Sequence, residues 1–140
     1  MASILKVDDL RGNTAAGNIT ITSEGGSATM QLQQGLAKSW LNFNMASTTP
    51  RDSFNISSLT DRAAGKFTVN LSSAHADANY GCVGYSNSYA ADGFTAGMSM
   101  GLHSNLEVTS TGSAYAIASF NGSSYVDAKY NSTATHGDLA

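Results

Sequence analysis

A single cysteine, Cys82, leaves this chain unable to form an intrachain disulfide or a multi-cysteine zinc site. It reads most simply as a small core residue of a strand over residues 78–84. Charge is also scarce: 12% of residues are charged, and the seven basic ones are scattered through a chain of formal net charge -3. Without a basic stripe to neutralise a phosphate backbone, nucleic-acid binding is not expected. Long apolar runs are missing as well. No segment approaches the length of a membrane span, and the opening Met1-Ala2-Ser3-Ile4-Leu5-Lys6-Val7-Asp8-Asp9 meets two acids where a signal peptide needs its hydrophobic region. The expectation is therefore no membrane insertion, with the Asn-x-Ser/Thr triplets at Asn18, Asn55, Asn70, Asn121 and Asn131 unused. No internal repeat occurs, which removes the usual signal of a β-helix or a propeller.

What remains is small, polar and β-prone. Ser, Thr, Asn and 14 Gly fill most of the chain beside a hydrophobic fraction of 41%, too apolar and too weakly charged for the disordered class. At 140 residues the length suits one core with a tethering arm. The predicted fold is all-β: an antiparallel β-sandwich, jelly-roll-like, over residues 36–140, preceded over residues 1–35 by an anchoring β-ribbon and a short helix.

Periodicity places the elements. Leu5 and Val7 alternate with polar neighbours, as do Ile19 and Ile21, with Gly12-Asn13 and Gly17-Asn18 between, which predicts two short strands around a turn. Such a ribbon is marginal alone and calls for another subunit or another protein. Leu32, Leu36 and Trp40 recur at helical spacing, predicting a short helix from Thr29 to about Gly35 that gives way to strand by Lys38. Leu41, Phe43 and Met45 share one strand face, as do Phe67, Val69 and Leu71. Turns are cued by Thr49-Pro50-Arg51-Asp52, by residues 61–65, by Ala91-Asp92-Gly93 and by Asn121-Gly122. Further strands fit residues 79–85, 95–102, 106–110, 114–120 and 125–130.

Several phrases carry a family likeness: Ala37-Lys38-Ser39-Trp40, Arg51-Asp52-Ser53-Phe54-Asn55, Thr60-Asp61, Gly65-Lys66-Phe67-Thr68-Val69-Asn70, Asp77-Ala78-Asn79-Tyr80 and a closing His136-Gly137-Asp138-Leu139-Ala140. Together they resemble a module of marine bacteriophage tail fibres and related virion surface proteins, of cyanophage and pelagiphage type. The likeness is good over residues 36–80, fair over 1–34 and poor over 81–136, and His75-Ala76 stands where relatives often carry Met-Pro. It implies a non-enzymatic, cofactor-free virion protein made in the host cytoplasm. It further implies a homotrimer anchored to tail, neck or capsid proteins, presenting its sandwich for host attachment. A capsid decoration or head fibre is the alternative, and a free carbohydrate-binding module a second one.

Within that frame Leu5, Val7, Ile19 and Ile21 are the expected virion anchor, and Met30, Leu32, Leu36 and Trp40 the expected subunit interface. Tyr85, Tyr89, Asp92, Phe94, Tyr125 and Tyr130 lie in Tyr-, Ser-, Asn- and Gly-rich stretches of the kind that form adaptable contact surfaces, here for a host surface glycan. The Met98, Met100, Leu102 series reads as a core strand, with a subunit seam as the other option. His75, His103 and His136 match no metal or protease motif and are expected on solvated loops. His136 with Asp138 is the weak metal candidate, one ligand set per copy about a three-fold axis. A depolymerase would need a carboxylate pair, for which only Asp92 and Asp127 lie near aromatics. Acids beside Gly are more often turn formers.

Overall fold

The computed structural model describes residues 4–15, 18–87, 89–90, 93–94, 99–101, 112–121 and 123–140. The expected strand over 106–110, most of that over 95–102, the turn at Ala91-Asp92, and His103, Met98 and Leu102 lie outside them. The chain divides into two units, Met1–Leu36 and Ala37–Ala140.

In the first unit a ribbon forms, with one strand where Ile21 alternates with Thr20 and Thr22 and the other from residues outside the expected Leu5–Val7 strand. β1 (Thr20–Thr22) pairs antiparallel with β2 (Thr29–Gln31), setting Ile21 opposite Met30. Ser23 and Gly26 close the connection: the Ser23 N–H donates to the Ala28 carbonyl, and Gly26 takes a φ of 73° that only glycine adopts freely. Leu5 and Val7 belong to no strand and are exposed. Ile19 precedes β1, its carbonyl accepting the Leu32 N–H at 2.8 Å. The expected helix shrinks to the single turn α1 (Leu32–Gly35), because Thr29–Gln31 is taken by the ribbon. Four residues are far too few for a helix to propagate, and Gly35 opposes extension. Leu32, Leu36 and Trp40 therefore share no helical face.

The second unit is a sandwich of two antiparallel four-stranded sheets. Its strands are β3 (Ser39–Asn44), β4 (Thr49–Phe54), β5 (Ile56–Ala63), β6 (Lys66–Leu71), β7 (Gly81–Asn87), β10 (Ser99–Gly101), β11 (Ala114–Phe120) and β12 (Tyr130–His136). The dipeptides β8 (Tyr89–Ala90) and β9 (Gly93–Phe94) pair separately. One sheet runs β4-β3-β12-β7, the other β10-β11-β6-β5. All-β sandwich architecture follows, as the alternation of Leu41 and Phe43 and of Phe67, Val69 and Leu71 required.

The core lies between the sheets. Leu41, Phe43 and Met45 from the first meet Phe67, Val69, Tyr115 and Ile117 from the second, all fully buried, with the Phe43 and Phe67 rings edge to face at 5.6 Å. Each such side chain contributes about 1.5–3 kcal/mol of burial. The β12 contribution is polar: Asn131, Thr133 and Thr135 point inward and are buried. All three are satisfied. Asn131 donates to the Phe43 and Ala128 carbonyls and accepts the Ser86 hydroxyl at 2.8 Å, while Thr133 lies 2.7 Å from the Tyr115 hydroxyl and Thr135 2.6 Å from Ser39 Oγ.

Three expected elements move. Thr49-Pro50-Arg51-Asp52 is strand, not turn; the reversal falls on a 3₁₀ turn at Met45–Ser47, whose Asn44 cap accepts the Ala46 N–H and whose Thr48 has φ 52°. Pro50 is tolerated because β4 is an edge strand. The strand expected over residues 125–130 begins only at Tyr130, with Tyr125 making one bridge to Phe120. His75, expected on a solvated loop, is 1% exposed.

Candidate functional site

The outward side of the β4-β3-β12-β7 sheet gathers what the sequence scatters. Side chains alternate across a strand, so residues in register on neighbouring strands line up in rows. Phe54 faces Trp40, Trp40 faces Ala134, and Ala134 faces Val83, giving one apolar row across all four strands. Val83 is 61% exposed, Phe54 54% and Trp40 38%. The next row is polar: Asp52, Asn42, Ser132 and then Tyr85. Asn42 Nδ2 donates to Ser132 Oγ at 3.2 Å, leaving the Ser132 hydroxyl hydrogen free to point outward. Between β7 and β12 this face sinks into an open groove of about 340 Å³ lined by Val83, Gly84, Tyr85, Ser132, Thr133 and Ala134.

One end of the face is cationic. The register jumps between Asn42, opposite Asp52, and Phe43, opposite Pro50, so Arg51 is the extra residue of a β-bulge. A bulge re-aims the side chain it carries. Arg51 Nη1 donates to Asn42 Oδ1 and to the Phe43 carbonyl, Nη2 donates to the Lys129 carbonyl at 2.6 Å, and Cζ sits 4.9 Å from the centre of the Tyr130 ring. Lys129 Nζ stands 5.6 Å from the same ring. Tyr130 therefore has two cations against its electron-rich face. Tyr130 and Tyr85 are diagonal neighbours across β12 and β7, within reach of a common partner.

Of the expected contact residues, Tyr85 and Tyr130 are thus brought together. Tyr125 is held apart from them, packed edge to face on Phe120 at 5.2 Å with Lys66 Nζ 4.1 Å above its ring. Tyr89 and Phe94 are opposed in the β8–β9 pair, and Asp92 lies outside the described residues. Trp40, expected at a subunit interface, stands in the outward row, whereas Met30 and Leu36 are exposed in the first unit with Leu32 half-buried. Trp40, Phe54, Val83 and the Arg51 bulge were legible only through register.

Asp127 Oδ1 accepts the Gly65 N–H at 2.6 Å, the work of a turn-forming acid. Gly65 itself has φ 66°, with the Ser119 and Val126 backbones where a Cβ would stand. Among the described residues no three His, Cys, Asp or Glu side chains converge to hold a metal; His136 ends β12, and the Asp138 carbonyl accepts the Ala76 N–H. Burial pushes the Cys82 thiol up to about 11, the reverse of an activated nucleophile.

The buried His75 sits at the opposite end of the sandwich from the Arg51 bulge. Its ring stacks on Tyr80 at 4.2 Å, its Nε2 lies 3.0 Å from Thr135 Oγ1, and it bridges Leu139, tying the C-terminal residues to the 74–76 segment. Nδ1 is buried with no hydrogen-bond partner among the described residues. Desolvation lowers the His75 pKa, the Asp138 backbone opposes that, and Lys38 lowers it further against a smaller opposing pull from Asp77.

No protein-family model, curated protein or solved structure matches this chain.

Proposed function

We propose that this chain is a non-catalytic virion surface module of tail-fibre type, anchored to the particle through its first unit and presenting the outward face of the β4-β3-β12-β7 sheet to the host surface. The observation that carries the reading is the exposed row Phe54–Trp40–Ala134–Val83 with Tyr85 and Tyr130 beside it. A contiguous apolar and aromatic patch on a polar module marks a contact surface. Leu5, Val7, Ile21 and Met30 are likewise exposed, which suits a segment that becomes buried against tail, neck or capsid protein. Three copies about one axis turn weak single contacts into avidity. In this reading Trp40 serves the contact face, and Met30, Leu32 and Leu36 serve assembly.

Two measurements test it together. Cryo-EM of intact particles locates the chain: trimers on the tail support attachment, trimers seated on the shell favour the decoration or head-fibre reading, and absence from the particle removes both. Purified protein added to host cells should block adsorption, and Trp40→Ala should abolish the block. A glycan array on soluble protein separates the free carbohydrate-binding module, which needs no particle.

A further inference from the structure

The geometry points to an acidic saccharide, a pyranose bearing a carboxylate, as the ligand of the groove beside Tyr85, its carboxylate reaching Arg51 and Lys129 at Tyr130, the diagonal neighbour of Tyr85. This rests on the reading of that face as a contact surface and adds what it contacts. The groove supplies the two chemistries a sugar ring needs. The Tyr85 ring offers flat apolar area to ring C–H groups, and the Ser132 hydroxyl, in register with it on the next strand, offers a donor to a sugar oxygen.

Charge selects among sugars. Arg51 and Lys129 stand against one tyrosine ring, and neither forms an ion pair among the described residues. Both bring positive charge to one ring, and a bound anion offsets it. Arg51 is also fixed in place, because it meets three acceptors, yet a guanidinium carries more N–H donors than that. A planar carboxylate is the partner its remaining fork fits. A nucleic-acid strand fits less well: it would offer its bases to the same face but bring several phosphates to a chain of net charge -3, and only Arg51 and Lys129 stand against Tyr130 among the described residues.

The test is isothermal titration of the whole protein with a hexamer of galacturonic acid, the same hexamer fully methyl-esterified, and a thymidine hexanucleotide. Lys129→Gln and Tyr130→Ala are titrated alongside, and circular dichroism confirms their folding. The expected result is binding of the acid at least about tenfold tighter than of the ester, weakened by salt, with Lys129→Gln losing about fivefold. Equal binding of acid and ester, no binding of either, or tighter binding of the nucleotide would each overturn the inference. Its fate is separable from that of the contact face. If Trp40→Ala still abolishes the adsorption block while no uronate binds, the face stands and the acidic ligand falls; if uronate binds but adsorption is untouched, the reverse holds.

Discussion

The Tyr115 hydroxyl lies 2.7 Å from Thr133 Oγ1, joining β11 of one sheet to β12 of the other through the middle of the core. Both groups are buried. Removing one leaves the other without its partner in a dry site, which costs more than the bond itself contributes. Tyr115→Phe should therefore destabilise the protein by about 1–3 kcal/mol in urea unfolding, and adding Thr133→Val should recover part of that loss. Burial also pushes the Tyr115 phenol up to about 12. An acid whose folded pKa is raised stabilises fully below its ordinary pKa of 10.0, so this contribution is lost as pH climbs from there toward 12, and Tyr115→Phe should flatten that alkaline limb.

Asn55 is the second fixed point. It takes φ 60°, donates to the Lys38 and Ser73 carbonyls and accepts the Ser73 N–H at 2.7 Å. Asn is one of the few side chains that tolerates this left-handed region, and here its amide also staples three chain segments. Asn55→Gly keeps the backbone but loses the staple, whereas Asn55→Ala loses both. Thermal unfolding should rank them wild type, Gly, Ala, with Ala about 1 kcal/mol below Gly.

Acid should loosen the His75 end of the sandwich. A histidine with a lowered folded pKa is bound by protons more readily when unfolded, so its stabilising effect is complete above its ordinary 6.5 and is lost as pH falls below that value. The slope reaches at most about 1.4 kcal/mol per pH unit. Melting temperature measured from pH 7.5 down to 5 should fall in wild type and fall less in His75→Gln, which keeps a hydrogen-bonding amide near Thr135 but cannot take a proton. Equal slopes would mean that the carboxylates alone control the acid limb.

Cys82 should be a poor nucleophile. Its thiol is half-buried against the core and held up at about 11, so little thiolate exists at pH 8. Reaction with a disulfide reagent should be slow in buffer and accelerate at least about tenfold in denaturant, where the ordinary thiol pKa returns.

Some of this was legible before any coordinates. β3, β6 and β11 announce themselves because their inward faces are apolar, and Phe43, Phe67 and Ile117 leave no other way to bury them. β12 does not, since its inward residues are Asn131, Thr133 and Thr135, and a polar strand can occupy a core only when partners on other strands, Ser86, Tyr115 and Ser39, satisfy it. Pro50 resembled a turn residue because nothing local says that its strand is an edge. His75 resembled a loop residue because its burial is made by Tyr80 and Thr135, the latter 60 positions away.

By itself the sequence determined fold class: weak charge, one cysteine and period-two alternation admit a β-sandwich and little else. It also singled out Tyr85 and Tyr130, through composition alone, as the candidate contact residues that the proposed function uses. Tertiary structure decided the rest of the face. Whether Phe54, Trp40, Ala134 and Val83 form one row, and whether Arg51 turns toward Tyr130, depends on strand register and a single bulge. A shift of one residue would reverse every side chain, and register is set by pairing between strands far apart in the chain.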